Sequence, residues 1–309
     1  MTNRVAVSVI IPFYNRSKTI RRALESVIAQ SYTDWECLVV DDGSSEEEKN
    51  NLIRIVEEIG DPRICLEHLT DNKGGGAARN CGIEMTSGQF IAFLDSDDEW
   101  LPQKLQQQFT HSISEQKAFV SCQSIVHHDG GVGIMPQMPI DEQSIGDYLF
   151  VQGGWLPTPS FFIDRQILGE IRFDESLLRH QDYDLLFNLE IRGIRPDVLM
   201  KPLVRVHWED LASRKKAVHI ENSKHFALSR RKHFSRNAYN CFLAKFVVIP
   251  TIKSTSRAAM LPLALKYGIS YITNSHLGLE VLSNLIFKDS RLLVHAGRVR
   301  NAFKKNVRL

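Results

Sequence analysis

Gln89-Phe90-Ile91-Ala92-Phe93-Leu94-Asp95-Ser96-Asp97-Asp98 sets an unbroken apolar run directly ahead of three carboxylates in four positions. A short run of this kind, rich in aromatic and β-branched residues, reads as a buried strand, here over residues 89–94. It delivers Asp95 to its carboxyl end. Working back toward the amino terminus, the same arrangement recurs. Residues 5–11 read as a buried strand ended by Pro12 and followed by Phe13, Tyr14 and Asn15, and residues 36–40 read as a strand running into Asp41-Asp42-Gly43-Ser44. Between them the period changes to that of helices. Ser17 caps a helix through residue 30 that carries Ile20, Leu24, Val27 and Ile28 on one face. Ser44 and Ser45 each have a glutamate three residues on, as a capping box requires, ahead of a helix with Leu52, Ile55, Val56 and Ile59 inward. Residues 64–69 form a further strand, and Gly74 to Gly76 open another helix. Alternation of this kind is the pattern of βαβ units around a mostly parallel sheet. Ligands of such sheets bind beyond the carboxyl ends of the strands, where Asn15, Asp42 and the 95–98 cluster all fall.

The chain has 309 residues, 43% hydrophobic and 24% charged, which fits a globular protein of one large domain or two and excludes disordered, collagenous and coiled-coil classes. Its apolar runs fall far short of the roughly 18–20 residues that span a bilayer. Residues 1–15 lack a signal-peptide cleavage region. Five cysteines without CxxC spacing fit neither a disulfide framework nor structural zinc, so a reducing cytoplasm is the expected compartment. The net charge of +2 hides an asymmetry: residues 1–200 hold 17 Lys+Arg against 31 Asp+Glu, a net −14, and residues 201–309 hold 21 against 5, a net +16. The acidic part suits metal cations and the basic part suits phosphates, nucleic acid or anionic lipid. Opposite charges that only help two regions pack are the plainer alternative. We place the boundary near residue 210, with a mainly helical region after it.

Several positions are equipped for chemistry. Asp95, Asp97 and Asp98 raise one another's pKa unless a divalent cation neutralises them, and hard oxygen ligands favour Mg2+ or Mn2+ over zinc. A solvated acidic turn is the competing reading. Asp42 suits the N–H of a uracil or thymine ring, or caps a helix beside Ser44. Tyr14 suits a base stack, worth about 1–3 kcal/mol, or a core position. The three glycines match no phosphate-loop pattern and instead let the backbone pass close to a ligand or open the helix. Arg79 faces the ligand edge or pairs with Asp71 on the surface. His180-Gln181-Asp182-Tyr183-Asp184 precedes a helical apolar run, so each aspartate is either a chemical group or a helix-start acid stabilised by about 0.3–1 kcal/mol. His207 ends an alternating strand, 203–207, while His127 and His128 read as loop residues.

Taken in order, VSVIIPFYN (7–15), VVDDGS (39–44), NKGGGAARNCG (72–82) and FLDSDDEWLP (93–102) resemble the family 2 glycosyltransferases over about residues 5–210. That resemblance implies the GT-A fold, a mostly parallel sheet flanked by helices with a Rossmann-like nucleotide-binding half. It implies inverting transfer of a sugar from a nucleoside diphosphate donor of UDP or dTDP type. Pro12, Phe13, Tyr14 and Asn15 match the segment bordering the nucleobase, Asp42 its hydrogen-bond acceptor, and Arg79 a position near the nucleotide. Asp95 and Asp97 match the DxD motif, with Asp95 and Ser96 toward the donor and Asp97 toward the cation. Asp182 matches the catalytic base, although Gln181 stands where the family usually has Glu. His207 matches a histidine that approaches the metal or leaving diphosphate, and residues 153–157 match a stretch facing the acceptor.

The expectation is therefore a GT-A domain over 1–210 and a basic helical region over 211–309. In the latter, Arg230, Arg231, Lys232 and Arg236 interleave with Phe226, Phe234, Phe242 and Phe246, followed by the apolar stretch 258–272 and the basic run 298–308. That composition suits helices lying on an anionic membrane, cations at the headgroups and aromatics below. It implies a peripheral enzyme on the cytoplasmic face of an inner membrane, acting on a lipid-linked or surface glycan. Nucleic acid ranks lower, since no nucleic-acid module accompanies the charge. Two other classes compete: a non-catalytic nucleotide-sugar or lipid-binding subunit, hinted at by Gln181, and a sugar nucleotidyltransferase, which would need a basic glycine-rich triphosphate loop.

Overall fold

The computed structural model describes residues 5–128, 131–208, 220–248 and 250–251. Strand β1 (Val7–Phe13) is apolar almost throughout because both of its faces are covered, as parallel sheets require. It pairs in parallel with β2 (Trp35–Asp41) on one side and β4 (Phe90–Phe93) on the other, and β2 pairs in parallel with β3 (Ile64–His68). Pro12 lies within β1 rather than ending it. Helix α1 (Ser17–Ile28) buries Ile20, Ala23, Leu24 and Val27; its N-cap is Arg16, because the Ser17 side chain is bound to Glu48 instead. Helix α2 (Glu46–Ile59) starts at Ser45, whose hydroxyl accepts from the Glu48 amide.

Helix α3 (Gly75–Met85) lies directly on β1: a Cβ at Gly82 would overlap the Ile10 side chain, so glycine is what permits the close approach. This contact aims the amino end of α3, with Arg79 one turn in, at the carboxyl edge of the sheet. After β4 the chain makes β5 (Glu99–Trp100) and α4 (Lys104–Ser114), then the long β6 (Phe119–His128) and β7 (Gly131–Met135). Next come β8 (Phe162–Asp164), the short α5 (Arg165–Leu168), α6 (Gln181–Ile191) and β9 (Asp197–His207). The sheet order is β3-β2-β1-β4-β8-β6-β9-β5, with β7 paired to β6. The first four strands are parallel; beyond β4, β8 is antiparallel to both β4 and β6, and β6 is parallel to β9.

His127 and His128 are strand residues at the end of β6, where His127 lies opposite His207 of β9. The strand expected over 203–207 extends back to Asp197, and its ladder with β6 shifts register between Cys122 and Ser124, next to Pro202, which has no amide hydrogen to donate.

The described residues fall into two compact units. The sheet and its helices form one; residues 146–152 join the residues after 218 in the other. In that second unit, α7 (Ile220–Ser229) and α8 (Arg236–Leu243) enclose an aromatic cluster. Phe150 stacks on Phe234 at 5.6 Å and meets Phe242 edge-on at 5.2 Å, and Phe226 lies 5.4 Å from Phe242. Phe226, Phe234, Phe242 and Phe246 are all buried. The expectation that they dip into lipid is thereby corrected: they form the unit's own core, while Arg231, Lys232 and Arg236 remain exposed. The junction near residue 210 and the stretches 258–272 and 298–308 lie outside the described residues.

Candidate active site

The carboxyl edge of the sheet opens into a cleft of about 510 Å3. Pro12, Phe13 and Tyr14 from the end of β1, Asp42 after β2, Gly75 and Arg79 of α3, and Asp95 to Asp98 after β4 line it together with Gln181, Asp182 and His207. Asn15 is the sequence-expected residue outside this lining. In a left-handed conformation, it accepts from the Ser45 amide at 3.0 Å and donates its own amide to Ser44 Oγ at 2.9 Å. It thus ties β1 to the cap of α2.

Asp42 does not cap the helix beside Ser44. That amide is taken by Asp41, and the Asp42 carboxylate accepts from the backbone amides of Lys73 and Gly74, both at 2.8 Å. The turn that makes this possible needs Gly43 at φ +70°, since a Cβ there would sit 2.6 Å from the Asn72 nitrogen. Burial pushes the Asp42 carboxyl up, the Asp41 charge adds to that, and the two amide bonds oppose it. Each oxygen keeps a second lone pair for a ligand N–H.

Arg79 pairs with Asp95 at 2.6 Å, not with Asp71, and reaches Gln181 Oε1 at 3.3 Å. Its Nε is buried and without a hydrogen-bond partner. Asp97 pairs with Arg16, and the Asp97 carbonyl accepts from Arg22. Burial raises the Asp97 carboxyl, with Arg16 opposing, and raises Asp98 further, with repulsion from Asp95 and Asp97 adding to it. Asp98 accepts from the His207 amide at 3.1 Å, which fixes the end of β9 against the acidic turn. Glu99 accepts from Arg205 and His207 Nε2, each at 3.0 Å; burial alone would raise Glu99, but these partners outweigh it and hold the carboxyl below its ordinary value. The His207 ring also stacks on His127 at 5.1 Å.

Arg16, Arg22 and Glu99 are the site residues that sequence reasoning missed. Arg16 carried one usable signal: it follows VSVIIPFYN directly, so a cation had to fall at the ligand edge. Among the described residues no three His, Cys, Asp or Glu side chains converge on one point. The donor set still fits a hard divalent cation of the magnesium type, which takes one or two carboxylates and completes its shell with water and substrate phosphates. Burial first, and repulsion among the carboxylates second, raise Asp97 and Asp98, and a divalent cation at this turn would oppose both.

At the start of α6, Asp182 is half-buried at the cleft wall, and burial pushes its carboxyl up to about 6 against the opposing amide of Tyr183 and charge of Arg79. Asp184 is fully buried, faces Asn188 at 3.0 Å and does not line the cleft. Asp182 is therefore the aspartate of this pair that a substrate can reach.

The profile described as Glycosyl transferase family 2 matches residues 8–176. The amylovoran biosynthesis glycosyltransferase AmsB of Erwinia amylovora is 31% identical over 240 residues, 75% of this chain and 80% of that protein. The Escherichia coli UDP-Glc:alpha-D-GlcNAc-diphosphoundecaprenol beta-1,3-glucosyltransferase WfaP is 30% identical over 213 residues, 68% of this chain and 80% of that one. Among solved structures, S. aureus TarS in complex with UDP-GlcNAc superposes with a TM-score of 0.60 at 21% identity, covering 91% of this chain and 81% of that one, which establishes a shared fold.

Proposed function

This chain belongs to glycosyl transferase family 2, and from that premise we propose that it transfers a sugar, with inversion, from a UDP- or dTDP-type donor to a hydroxyl of a lipid-linked or surface glycan. The observation that carries this reading is a single cleft holding the amide-anchored Asp42, two arginines beside an acidic turn, and a half-buried Asp182 whose carboxyl is pushed up to about 6. Asp42 accepts from the pyrimidine N–H while Tyr14, 46% exposed, offers a stacking face. Asp95 and Ser96 meet the donor ribose. Asp182 takes the proton of the acceptor hydroxyl as its oxygen forms the new bond to the anomeric carbon. The bond from that carbon to the diphosphate oxygen breaks, and the nucleoside diphosphate departs with the electron pair. Arg16 and Arg79 lie where its negative charge develops. Asp97, with His207 beside it, would hold Mg2+ or Mn2+, whose chemistry when bound is Lewis-acid stabilisation of that leaving group.

The similarity to WfaP, which glucosylates a diphosphoundecaprenol-linked N-acetylglucosamine, favours a lipid-linked acceptor, and the similarity to AmsB of amylovoran biosynthesis favours polysaccharide synthesis. The test is product analysis. With UDP-sugars and an N-acetylglucosaminyl diphosphate lipid, the expected result is a glycosylated lipid and one free UDP per transfer. Pyrophosphate would point to nucleotidyl transfer, and donor binding without turnover to a binding subunit.

Among the described residues no helix is long and apolar enough to cross a membrane. We place the enzyme at the cytoplasmic face of an inner membrane through its cations, because Phe226, Phe234, Phe242 and Phe246 are buried among the described residues of the second unit. Each Lys or Arg near an anionic leaflet contributes about 1 kcal/mol, within a Debye length. The expected result is co-sedimentation with phosphatidylglycerol vesicles but not with neutral ones, lost as salt rises. Equal recovery with both vesicle types at low salt would remove the membrane claim.

A further inference from the structure

The cleft has two ends, and the sheet order separates them: β2 and β1 stand on one side of β4, and β9 stands on the other. The first end carries the nucleotide-facing residues. The second is walled differently. Trp208, directly after β9, is 42% exposed and meets Trp155 edge-to-face at 5.5 Å, and Leu178, 72% exposed, lines the same cleft four residues ahead of Asp182. An exposed tryptophan and leucine sharing the cleft with Asp182 leave apolar surface in water that nothing in the donor's polar chemistry uses. Among the described lining residues the only Lys or Arg side chains are Arg16 and Arg79, both already facing carboxylates of the acidic turn. Among its described residues this wall therefore offers an aromatic face and no positive charge beyond those two arginines.

We propose that Trp208, braced by Trp155, is the stacking platform for the acceptor's receiving sugar, which it recognises as a neutral pyranose through its apolar C–H face, with any acceptor diphosphate outside this contact. The inference rests on the transferase reading above and specifies how that site recognises its second substrate. A pyranose has one face lined by C–H groups and a rim of hydroxyls. Laid on an indole, it buries the first and leaves the second pointing along the wall toward Asp182, which must reach one hydroxyl proton. The backbone that carries the platform is anchored, and the Trp208 ring packs on Trp155. Trp208 donates its amide to His127 O at 2.9 Å, and the adjoining wall is tied down by Trp100 Nε1 donating to Pro159 O at 3.0 Å. A rigid aromatic serves a sugar better than a flexible side chain, because less conformational freedom is lost on binding.

The experiment compares two acceptors, octyl N-acetylglucosaminide and N-acetylglucosaminyl diphosphate on a short alkyl chain, with a UDP-sugar donor. Trp208→Ala should raise the KM for both acceptors by about tenfold or more, by a similar factor, while the Kd for the donor stays within about twofold. Trp208→Phe should recover most of the loss. In wild type, saturation-transfer NMR should mark the pyranose C–H protons, and Trp208→Ala should erase that signal. An unchanged acceptor KM in Trp208→Ala overturns the proposal, as does a loss confined to the diphosphate compound, which would mean that the wall reads the anion. Failure of wild type to release UDP from any donor would instead sink the transferase reading, and the NMR signal would still report whether a sugar stacks on the wall.

Discussion

Asp182→Asn should lower sugar transfer by roughly 10²–10⁴-fold with donor affinity nearly unchanged, because the variant keeps the shape of the side chain and loses only its ability to take a proton. The pH profile sharpens this expectation. The Asp182 carboxyl is pushed up to about 6, chiefly by burial, so the base is half protonated there and the transfer rate should fall as pH drops through that value. Asp184→Asn should leave that acidic limb in place and instead cost stability, since Asp184 is fully buried and faces Asn188. If Asp184→Asn removed the chemical step and Asp182→Asn did not, the base assignment would be wrong.

The same shift makes a claim about folding. A carboxyl whose pKa is raised on folding supports the native state most fully below its unfolded value, near 4, and that support is lost as pH rises through about 6. At neutral pH the ionised, half-buried Asp182 is a net cost. Asp182→Asn should therefore be more resistant to urea than wild type at pH 7, by on the order of 1–3 kcal/mol, and the gap should close by about pH 4. Gln181 belongs to this account. Its amide oxygen faces Arg79 without adding a charge beside Asp182, so Gln181→Glu should compete for Arg79, raise Asp182 further and move the acidic limb to higher pH.

Much of this site was legible because its parts lie at strand ends, and strand ends are set by local pattern. The apolar runs before Asp42 and Asp95 fix which edge those carboxylates reach, and the glycine turn before Arg79 fixes where its helix begins. Pairings across long sequence separation were not legible. The ion pair of Arg16 with Asp97 joins residues 81 apart, and the hold of Glu99 on His207 joins residues 108 apart; neither has a local signature. Asp41 and Asp42 look alike in sequence, and only the turn at Gly43 decides which takes the Ser44 amide and which turns to Lys73 and Gly74. The strands β6 and β8 were obscured for a related reason. They lie between polar and glycine-rich segments, and their identity comes from pairing with β9 and β4. The phenylalanines of α7 and α8 misled because cations interleaved with aromatics describe equally a helix on lipid and a helix closing over its own core.

Chelation should abolish transfer, and Mn2+ or Mg2+ should restore it. Asp95, Asp97 and Asp98 stand within four residues, and only two arginine partners, Arg16 on Asp97 and Arg79 on Asp95, face these three carboxylates. A nucleoside diphosphate brings further negative charge into the same cleft. At about 4 Å and an effective dielectric constant near 20, each unpaired like-charge contact costs about 4 kcal/mol, enough to suppress binding unless a cation enters with the donor. Donor affinity by calorimetry should accordingly depend on metal in wild type. In Asp97→Ala that dependence should vanish, with Arg16 left to face the diphosphate and a weaker, metal-independent affinity remaining. Calorimetry gives this result without any turnover, so it separates the ion's role from that of Asp182. Full activity in excess EDTA would assign the leaving group's counter-charge to Arg16 and Arg79 alone. Arg16→Gln should then cost more than Asp97→Ala, the reverse of the order expected if the cation carries the charge.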